Sequence, residues 1–507
     1  MRKPEDVEGR EFDLLIVGGG INGAGIARDA AGRGLSVLLV EKDDLASHTS
    51  SASTKLIHGG LRYLEHGEFR LVREALIERE RLLAIAPHII EPMNFLLPRV
   101  AGMRPGWMIR LGLFLYDHLG RRGKLARSRA VSLKGPPYGN GLRTEVASRG
   151  FLYSDCRVDD SRLVILNALD AHEHGATVMT RTRLVSASRD GAGWAALLDR
   201  DGRKMRVRAR TLVNAAGPWT AELLTHIEGT RFISTIRLVK GSHIVVPRLY
   251  EGEHCFLLQN PDGRVVFAIP YEDRFTLVGT TEELWSEPLG PARISAAETD
   301  YLLATIRRYF TAAPEADAVV WSYAGIRALY DDHAADASAI TRDYVLEVDG
   351  DAERAPILSI FGGKITTYRR LAEEALGKLA AWLPMGAPWT GGSPLPGGDL
   401  EDGSRDRLLT ALIAACPGLP EEVLRRYVRT YGTRTLDMLG TARAPDAMGE
   451  HFGQGLHAVE VDYLVDREWA RTAEDILFRR TRLGLHMPEE GKARLDAYLA
   501  RRWKEAG

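Results

Sequence analysis

The sequence predicts an α/β protein with a parallel-sheet domain near the N-terminus, an antiparallel sheet in the middle and helices at the C-terminus. Three observations carry this prediction. An apolar strand, a glycine-rich turn and a helix open the chain, short β-branched runs separated by turns follow later, and the C-terminal part contains helical runs. At 507 residues the chain is too long for one simple core and indicates about three domains.

Residues 13–41 form a complete βαβ unit of the kind that binds dinucleotides. Gly18 permits the tight turn after the first strand, Gly20 lets the backbone approach a pyrophosphate, and Gly23 lets the helix pack closely on the strand. Free backbone N–H groups and the helix dipole favour the two phosphates. Glu41, at the end of the second strand, can accept hydrogen bonds from a ribose diol. The unit predicts a bound dinucleotide, and the alternative is a glycine-rich turn without a ligand.

Composition and charge exclude several classes of protein. Apolar content of 45% and charged content of 27% are those of an ordinary folded protein. The formal net charge of −1 gives no global attraction to nucleic acid, so we expect no nucleic-acid partner. Three widely separated cysteines form neither a metal-type pair nor a disulfide framework, which fits a reducing compartment and predicts no metal site. Without a signal-peptide pattern or a long apolar run, we expect an intracellular protein that touches membranes only peripherally.

A polar run after Glu41 favours FAD over a nicotinamide dinucleotide. Residues 50–60, SSASTKLIHGG, precede Arg62 and Tyr63, whereas an ordinary nicotinamide fold continues with a plain helix and strand. Hydroxyl and backbone donors in such a run can reach phosphate, ribityl or ring atoms, and the alternative is a solvated loop. In this part of the chain we expect cofactor contacts from Gly18, Gly19, Gly20, Asn22, Gly23, Glu41, Ser50, Ser51, Ser53, Lys55, Leu56, His58 and Gly59.

Two distant segments repeat the pattern of strand, glycine turn and helix start. Residues 211–219, TLVNAAGPW, end a buried strand in a glycine turn, and residues 357–368, ILSIFGGKITTY, end another in paired glycines. A second helix N-terminus would suit the N1–C2=O edge of a flavin, which becomes negative on two-electron reduction. A nicotinamide gains no such charge, so the pattern predicts FAD rather than three unrelated corners. The contacts expected here are Ala216, Gly217, Gly362, Gly363, Lys364, Ile365 and Thr366.

Five stretches of the chain carry a more specific resemblance. They are GGGINGAGIARDAAGRGLSVLLVE, TSSASTKLIHGGLRYLEHGEFRLVREAL, NAAGPW, KGSHIVVP and FGGKITTYRRLAE. They resemble the FAD-dependent, respiratory (aerobic) glycerol-3-phosphate dehydrogenases, over nearly the whole chain and least towards the C-terminus. The resemblance implies an FAD-binding Rossmann-like domain of the amino-acid-oxidase type, an antiparallel-sheet substrate domain and a helical C-terminal domain. It also implies oxidation of sn-glycerol 3-phosphate to dihydroxyacetone phosphate, with electrons passed to membrane quinone.

The pattern along the chain agrees with this division into domains. Residues 68–86 carry apolar residues at helical spacing, while residues 237–281 hold short β-branched runs separated by turns, as in an antiparallel sheet. Residues 393–403 have the composition of a linker. Helical runs follow at 406–416, 421–431 and 472–482. We expect an FAD-binding domain formed by residues 1–80, 150–225 and 320–390, a substrate domain formed by 81–149 and 226–319, and a helical domain at 391–507.

A phosphorylated alcohol requires cations for the phosphate dianion and a proton acceptor near the carbinol. Arginine suits the first requirement because its planar guanidinium matches phosphate oxygens. The motifs place Arg62 after the 58–60 turn, Arg327 inside an otherwise apolar strand, and Lys364 near the flavin edge. For each arginine the alternative is an ordinary surface charge. The resemblance implies that Arg62, Tyr63, His243, Arg327 and Lys364 line the substrate pocket.

Three histidines are candidates for roles beside the flavin. His243, at the start of a strand, is the preferred general base, because a neutral imidazole can accept the hydroxyl proton as hydride leaves. Its alternative is a structural, hydrogen-bonded histidine. His58 is the second candidate for the base, although its position favours cofactor contact. His48 lies where related flavoenzymes sometimes attach FAD covalently, and we expect it to be free.

Residues 104–129 predict contact with a membrane surface. The segment holds seven basic residues and one acid, Asp117, interleaved with aromatic and aliphatic side chains, a pattern that can lie in the interface of an anionic bilayer. The alternative is an amphipathic helix whose apolar face joins the core. We expect a homodimer at the inner face of the cytoplasmic membrane. C-terminal arginines are candidates for further membrane or dimer contacts: Arg425, Arg426, Arg429, Arg479, Arg480 and Arg482.

Three other functions stay open at this point. A glycerol-3-phosphate oxidase would share the fold and the pocket but pass electrons to oxygen and form peroxide. An amine or amino-acid oxidase on the same fold would not need the arginine and lysine residues. A flavin-binding scaffold or sensor would show no turnover.

Overall fold

The computed structural model describes residues 6–100, 102, 104–120, 123, 125–231, 236–330 and 343–506. Its strands are β1 (Glu11–Val17), β2 (Val37–Val40), β3 (Leu56–Ile57), β4 (Ile90–Pro98), β5 (Arg129–Ser132), β6 (Arg149–Val158), β7 (Thr177–Met179), β8 (Thr182–Asp190), β9 (Gly193–Arg200), β10 (Arg203–Asn214), β11 (Ile236–Pro247), β12 (Cys255–Gln259), β13 (Val265–Tyr271), β14 (Phe275–Gly279), β15 (Glu283–Leu284), β16 (Trp321–Tyr330), β17 (Val345–Asp349), β18 (Ile357–Phe361), β19 (His451–Gly453) and β20 (Leu456–His457). Its α-helices are α1 (Ile21–Gly32), α2 (Phe69–Ile85), α3 (Gly106–Leu119), α4 (Asp160–Glu173), α5 (Thr220–Leu224), α6 (Ala296–Tyr309), α7 (Tyr368–Leu379), α8 (Arg405–Ala415), α9 (Glu421–Tyr431), α10 (Thr435–Leu439), α11 (Ala458–Glu468) and α12 (Glu489–Ala506).

The first sheet places the three glycine corners next to one another. Its strand order is β17-β18-β10-β1-β2-β7, with the β8–β9 hairpin added beside β10. β1, β10 and β18 are parallel neighbours, with Ile16 opposite Val213 and Val213 opposite Leu358. The corners that follow these strands therefore leave the sheet side by side at its carboxyl edge, where open α/β sheets bind ligands. The βαβ unit predicted at 13–41 is confirmed by β1, α1 and β2.

Helices α1, α4 and α7 pack against one another over this sheet. The side of α1 that faces the core carries small residues, and Ala24, Ala27 and Ala30 are fully buried. Gly25 lets α7 come close, because a Cβ at this position would lie 2.6 Å from the ring of Tyr368. The small side chains predicted for this helix thus hold α1 directly above the glycine turn.

The second sheet confirms the antiparallel region predicted at 237–281. Its strand order is β15-β11-β14-β13-β12-β4-β6-β3, with β16 beside β11 and β5 beside β6. The pairs among β11, β12, β13, β14 and β16 are antiparallel. Helix α2 confirms the helix predicted at 68–86. The domain boundaries themselves stay a prediction.

The C-terminal helices enclose an apolar core of their own, which includes Leu424, Leu464 and Leu495. α8 and α9 confirm the helices predicted at 406–416 and 421–431. The segment at 472–482 differs from the prediction, because residues Asp475–Arg480 form a π-helix rather than part of a longer α-helix.

Four of the C-terminal arginines are not available for membrane or dimer contacts. Arg426, Arg479, Arg480 and Arg482 are held in ion pairs within the chain, so the expectation that they reach a partner is wrong. The physical reason is that buried carboxylates from the same chain neutralise them. Within the described part of the chain, no helix combines the length and the apolar character needed to cross a bilayer.

Candidate active site

The three glycine corners line one cavity of about 1010 Å³. Each corner contributes because its strand ends at the same edge of the parallel sheet. The predicted cofactor contacts that line this cavity are Gly18, Gly20, Asn22, Glu41, Ser50, Ser53, Leu56, His58, Ala216, Gly217, Gly362, Gly363, Lys364, Ile365 and Thr366. Of the predicted substrate-side residues, Arg62, Tyr63, Arg327 and Lys364 line it as well.

The first corner presents bare backbone to the cavity because side chains do not fit there. Gly18 has a φ of +116°, and a Cβ on it would lie 2.4 Å from the carbonyl oxygen of Ala215. A Cβ on Gly23 would lie 1.9 Å from the carbonyl oxygen of Gly18, so only glycine allows α1 to sit this close to the turn. Gly23 itself is not among the described residues that line the cavity, and its contribution is packing.

Glu41 lines the cavity at the end of β2. Its Oε2 accepts a hydrogen bond from the N–H of Gly19 at 2.7 Å, and its Oε1 accepts one from the N–H of Asp43 at 2.8 Å. Burial raises the pKa of Glu41 above its usual value, against the effect of the two N–H donors. The carboxylate keeps lone pairs for a ribose hydroxyl. Gly19 supports Glu41 and is not among the described residues that line the cavity.

Some residues of the polar run at 50–60 line the cavity, and others contact the structure behind it. Lys55 is buried at a φ of +60°, and its ammonium contacts the carboxylate of Asp160 at 2.9 Å. The N–H of Gly59 donates to the hydroxyl of Tyr116 at 2.8 Å. These contacts direct the ammonium of Lys55 and the N–H of Gly59 towards other residues of the chain rather than towards the cavity. Ser51, Lys55 and Gly59 are not among the described residues that line the cavity, and their expected contacts with the cofactor stay predictions.

Beside the third corner lie two buried polar atoms that have no hydrogen-bond partner among the described residues, Oδ1 of Asn22, at the start of α1, and Nζ of Lys364. The amide of Asn22 is fixed by donating to the carbonyl oxygen of Gly362 at 3.2 Å. The ammonium of Lys364 lies 4.1 Å from the centroid of the Tyr63 ring. Since buried polar groups are normally hydrogen-bonded, these two atoms indicate a polar ligand. α7 begins only at Tyr368, so the helix N-terminus lies further from the glycines than predicted.

Several cationic side chains line the same cavity, and we call the three that the sequence predicted, Arg62, Arg327 and Lys364, the cationic cluster. Arg62 belongs to the short helical turn Leu61–His66. Arg327 lies on β16, with its guanidinium 3.4 Å from a carboxylate oxygen of Glu282. Guanidinium and ammonium groups supply the donors that match the oxygens of a phosphate.

The structure corrects the placement of His243. This residue of β11 is fully buried, and its ring stacks on that of Tyr323 with centroids 4.8 Å apart. Its Nε2 lies 3.0 Å from the hydroxyl of Thr54, and Thr54 does line the cavity. Burial and then the nearby charge of Arg327 hold the pKa of His243 well below its usual value. His243 is not among the described residues that line the cavity, and its contact with Thr54 links it to the cavity wall.

The cavity wall includes polar side chains that were not predicted, among them Thr54, Arg264, Thr280 and Glu282. Thr54 lies in the polar run at residues 50–60, so its hydroxyl group and its position could have predicted that it lines the cavity. The other three come to the cavity because β13 and β14 pair with each other and β14 pairs with β11, beside β16. Pairing between strands far apart in sequence leaves no local pattern to read.

The cavity fits FAD on two observations. The first corner exposes backbone where any side chain would collide, and buried polar atoms that need a ligand lie beside the third corner. Its volume of about 1010 Å³ lies at the upper end of the range for ligand pockets, roughly 300–1,000 Å³, as a dinucleotide with a substrate beside it requires. Fold and site together define an FAD-dependent oxidoreductase of the amino-acid-oxidase type.

Known proteins similar to this chain belong to the same class. Residues 13–369 match the family described as FAD dependent oxidoreductase, and residues 389–503 match the C-terminal domain of alpha-glycerophosphate oxidase. The chain is 53% identical to a glycerol-3-phosphate dehydrogenase of Pseudomonas aeruginosa, over 96% of this chain and 95% of that protein. It is 49% identical to a D-erythritol 1-phosphate dehydrogenase of Brucella abortus, over 95% of this chain and 96% of that protein.

A solved structure shows the same fold with its cofactor. The glycerol-3-phosphate dehydrogenase from Bacillus halodurans, complexed with FAD, has a TM-score of 0.76 and 28% identity to this chain, covering 99% of this chain and 90% of that one. The chain belongs to the FAD-dependent glycerol-3-phosphate dehydrogenase family, and FAD is its cofactor.

Proposed function

We propose that the protein oxidises sn-glycerol 3-phosphate to dihydroxyacetone phosphate. The secondary carbinol loses a hydride and its hydroxyl proton, and bound FAD supplies the two-electron acceptor. The observation that carries the proposal is the cationic cluster, which shares one cavity with the glycine corners. Identity of 53% to the Pseudomonas aeruginosa enzyme supports the same substrate.

The cationic cluster would bind the phosphate. The ammonium of Lys364 lies over the Tyr63 ring without a hydrogen-bond acceptor among the described residues, so it is a point charge available to an anion. Arg327 lines the cavity 3.4 Å from Glu282, and its planar guanidinium has the geometry that matches phosphate oxygens. Anchoring the phosphate in this way would hold the carbinol at a fixed place in the cavity.

His58 is the side chain that we propose as the acceptor of the hydroxyl proton. It lines the cavity, and its backbone N–H contacts the hydroxyl of Thr366 at 3.4 Å, which ties its turn to the third corner. His243, preferred from the sequence, has a pKa held well below its usual value and is therefore a weak proton acceptor. Its contact with Thr54 gives it a supporting role behind the wall.

D-erythritol 1-phosphate is a second candidate substrate. The relative that carries this name is 49% identical to the chain, close to the 53% of the glycerol-3-phosphate dehydrogenase. Both compounds are phosphorylated polyols, so a cationic cluster that recognises the phosphate accepts either. The groups that contact the rest of the polyol would decide between them.

Anaerobic titration of the FAD-loaded protein tests the proposal. Adding sn-glycerol 3-phosphate should bleach the flavin absorbance, whereas glycerol and glycine should not, because neither carries a phosphate. Stronger bleaching by D-erythritol 1-phosphate would assign that substrate instead. If neither phosphate ester bleaches the flavin, the protein is not a dehydrogenase of this type, and a flavin scaffold becomes the better interpretation.

We infer that the electrons pass to membrane quinone and that α3 is the membrane contact. Trp107, Leu111 and Phe114 follow one face of α3 at spacings of four and three residues, and their side chains are 67%, 51% and 54% exposed. An exposed apolar face in a basic segment suits the interface of an anionic bilayer. The alternative that this face joins the core does not hold for these three side chains. Three basic residues of the predicted segment lie outside the described residues: Arg121, Arg122 and Lys124.

Vesicle binding and acceptor assays test this inference. The protein should pellet with anionic vesicles at low salt, and the double change Trp107→Ser and Leu111→Ser should abolish pelleting. Leu284→Ser is the matched control, because Leu284 on β15 is also an exposed apolar side chain, at 58%. Peroxide formation in place of quinone reduction would assign a glycerol-3-phosphate oxidase. The homodimer and the inner face of the cytoplasmic membrane stay predictions.

A further inference from the structure

Three arginines of the C-terminal domain are connected, through two buried carboxylates, to two turns that contribute residues to the cofactor cavity. The first turn is formed by residues 42–46 and the second by residues 53–55. Arg479 and Arg480 end the π-helix Asp475–Arg480, and Arg482 follows shortly after. Arg480 is fully buried, and Arg479 is nearly so. None of the three is among the described residues that line the cavity, so any influence on the cofactor passes through the turns.

The first turn is held through Asp44. Its carboxylate accepts two hydrogen bonds from Arg480, at 2.6 and 2.8 Å, and one from Nε of Arg479, at 2.8 Å. Asp44 lies between Lys42 and Ala46, both of which line the cavity. Ala46 has a left-handed φ of +60°, a conformation that a residue with a side chain keeps only where its surroundings hold it.

The second turn is held through Asp160, the first residue of α4. Its carboxylate accepts hydrogen bonds from the hydroxyl of Ser53 at 2.7 Å, from the ammonium of Lys55 at 2.9 Å and from the guanidinium of Arg482 at 3.0 Å. Ser53 lines the cavity, and Lys55 has a φ of +60°. Each cofactor-lining turn is thus tied to a buried carboxylate that a C-terminal arginine neutralises.

We propose that segment 479–482 positions both turns and thereby sets how tightly the chain retains FAD. The proposal rests on FAD binding and is independent of the substrate. Removing one partner of a buried ion pair leaves the other charge uncompensated, so the turn must shift to hydrate its carboxylate. A site that holds its binding conformation for only a fraction of the time binds its ligand more weakly by that fraction.

The release of FAD from the holoenzyme tests the proposal. In Arg480→Met we expect FAD to dissociate at least about tenfold faster, measured as the rise in free-flavin fluorescence after dilution. Adding Asp44→Asn to that variant should restore part of the retention, because it removes a buried carboxylate charge that Arg479 alone would otherwise have to neutralise. Arg426→Met is the matched control, since Arg426 forms a partly buried pair with Glu460 inside the C-terminal domain, at 2.6 Å.

Chemical denaturation of the apo forms measures loss of stability separately. The proposal holds if Arg480→Met speeds FAD release while Arg426→Met, at a similar loss of apo stability, does not. It is overturned if FAD release is unchanged in Arg480→Met, or if both variants speed release equally. If Arg480→Met does not fold, Arg482→Gln tests the proposal at the second turn, where we expect a smaller increase in the rate of FAD release because Lys55 still pairs with Asp160.

Discussion

The two halves of the cavity are built in different ways. The cofactor half consists mainly of backbone, in glycine corners that follow three parallel strands. The substrate half consists of side chains, the cationic cluster and His58, which come from a helical turn, an antiparallel strand and two loops. The register of the parallel strands determines where the backbone of the cofactor half lies. In the substrate half, contacts with neighbouring side chains determine where the functional side chains lie. We therefore expect changes in the first half to abolish FAD binding, and changes in the second to spare FAD and reduce turnover.

The largest effect is expected from Gly23→Ala in the cofactor half. The new Cβ would lie 1.9 Å from the carbonyl oxygen of Gly18, so α1 must move away from the turn that is predicted to bind the phosphates. The purified variant should show no flavin absorbance. Gly377→Ala is the control, because a Cβ there meets nothing within 4 Å and the helix should tolerate it. Full FAD occupancy in Gly23→Ala would contradict the expectation that changes in the cofactor half abolish FAD binding.

His58→Ala should keep FAD and lower kcat about a hundredfold, the usual contribution of a positioned general base. His243→Ala should cost only a few-fold, and Thr54→Val should match it, because His243 reaches the cavity through the Thr54 hydroxyl. Steady-state kinetics with flavin content measured in parallel gives both numbers. The opposite order of effects would return the role of base to His243.

Arg327→Ala should keep FAD and raise the KM for the phosphorylated substrate about tenfold to a hundredfold, since a charge-assisted hydrogen bond contributes about 1.5–3 kcal/mol. Arg264 also lines the cavity but pairs with Asp262 at 2.7 Å, so Arg264→Ala should change KM much less. Equal effects of the two variants would remove Arg327 from the phosphate site.

The smallest effect concerns stability and comes from His88, a histidine outside both halves. Burial, followed by the charges of Arg162 and Arg405, lowers the pKa of His88 to about 3. The unfolded chain binds this proton near pH 6.5, so the contribution is fully present above that pH and is lost as the pH falls towards 3. Between pH 6.5 and pH 5 the free energy of unfolding should fall by about 2 kcal/mol on this account. His88→Leu should flatten the pH dependence measured by urea denaturation, and an unchanged slope would contradict the assignment.

The same contrast explains what could be predicted from the sequence. The spacing of Gly18, Gly20 and Gly23 predicted the first corner, because a backbone path demands these residues at these positions. The polar run predicted cofactor contacts by residue type alone, and Lys55 shows the limit of that approach. Its ammonium pairs with a buried carboxylate, Asp160, at 2.9 Å, and Lys55 is not among the described residues that line the cavity.

Contacts with residues that are far away in sequence could not be predicted from a local sequence pattern. His243 lies on the predicted strand, but it is fully buried, the ring of Tyr323 from β16 stacks on it, and it is not among the described residues that line the cavity. Arg480 is a charged residue, a type that is usually found at the surface. Its guanidinium is buried because it pairs with the carboxylate of Asp44, which is far away in sequence. In both cases the deciding contact forms only once the sheets and the C-terminal domain are in place.

We propose that the glycine corners and the cationic cluster surround one flavin in a shared cavity. A crystal structure of the FAD-bound protein with glycerol 3-phosphate, grown without oxygen, would locate the flavin and the phosphate together. We expect the isoalloxazine ring beside Gly362 and Gly363, and the phosphate within about 3 Å of Arg62, Arg327 or Lys364. A flavin outside this cavity, or a phosphate bound away from all three cations, would contradict the proposal.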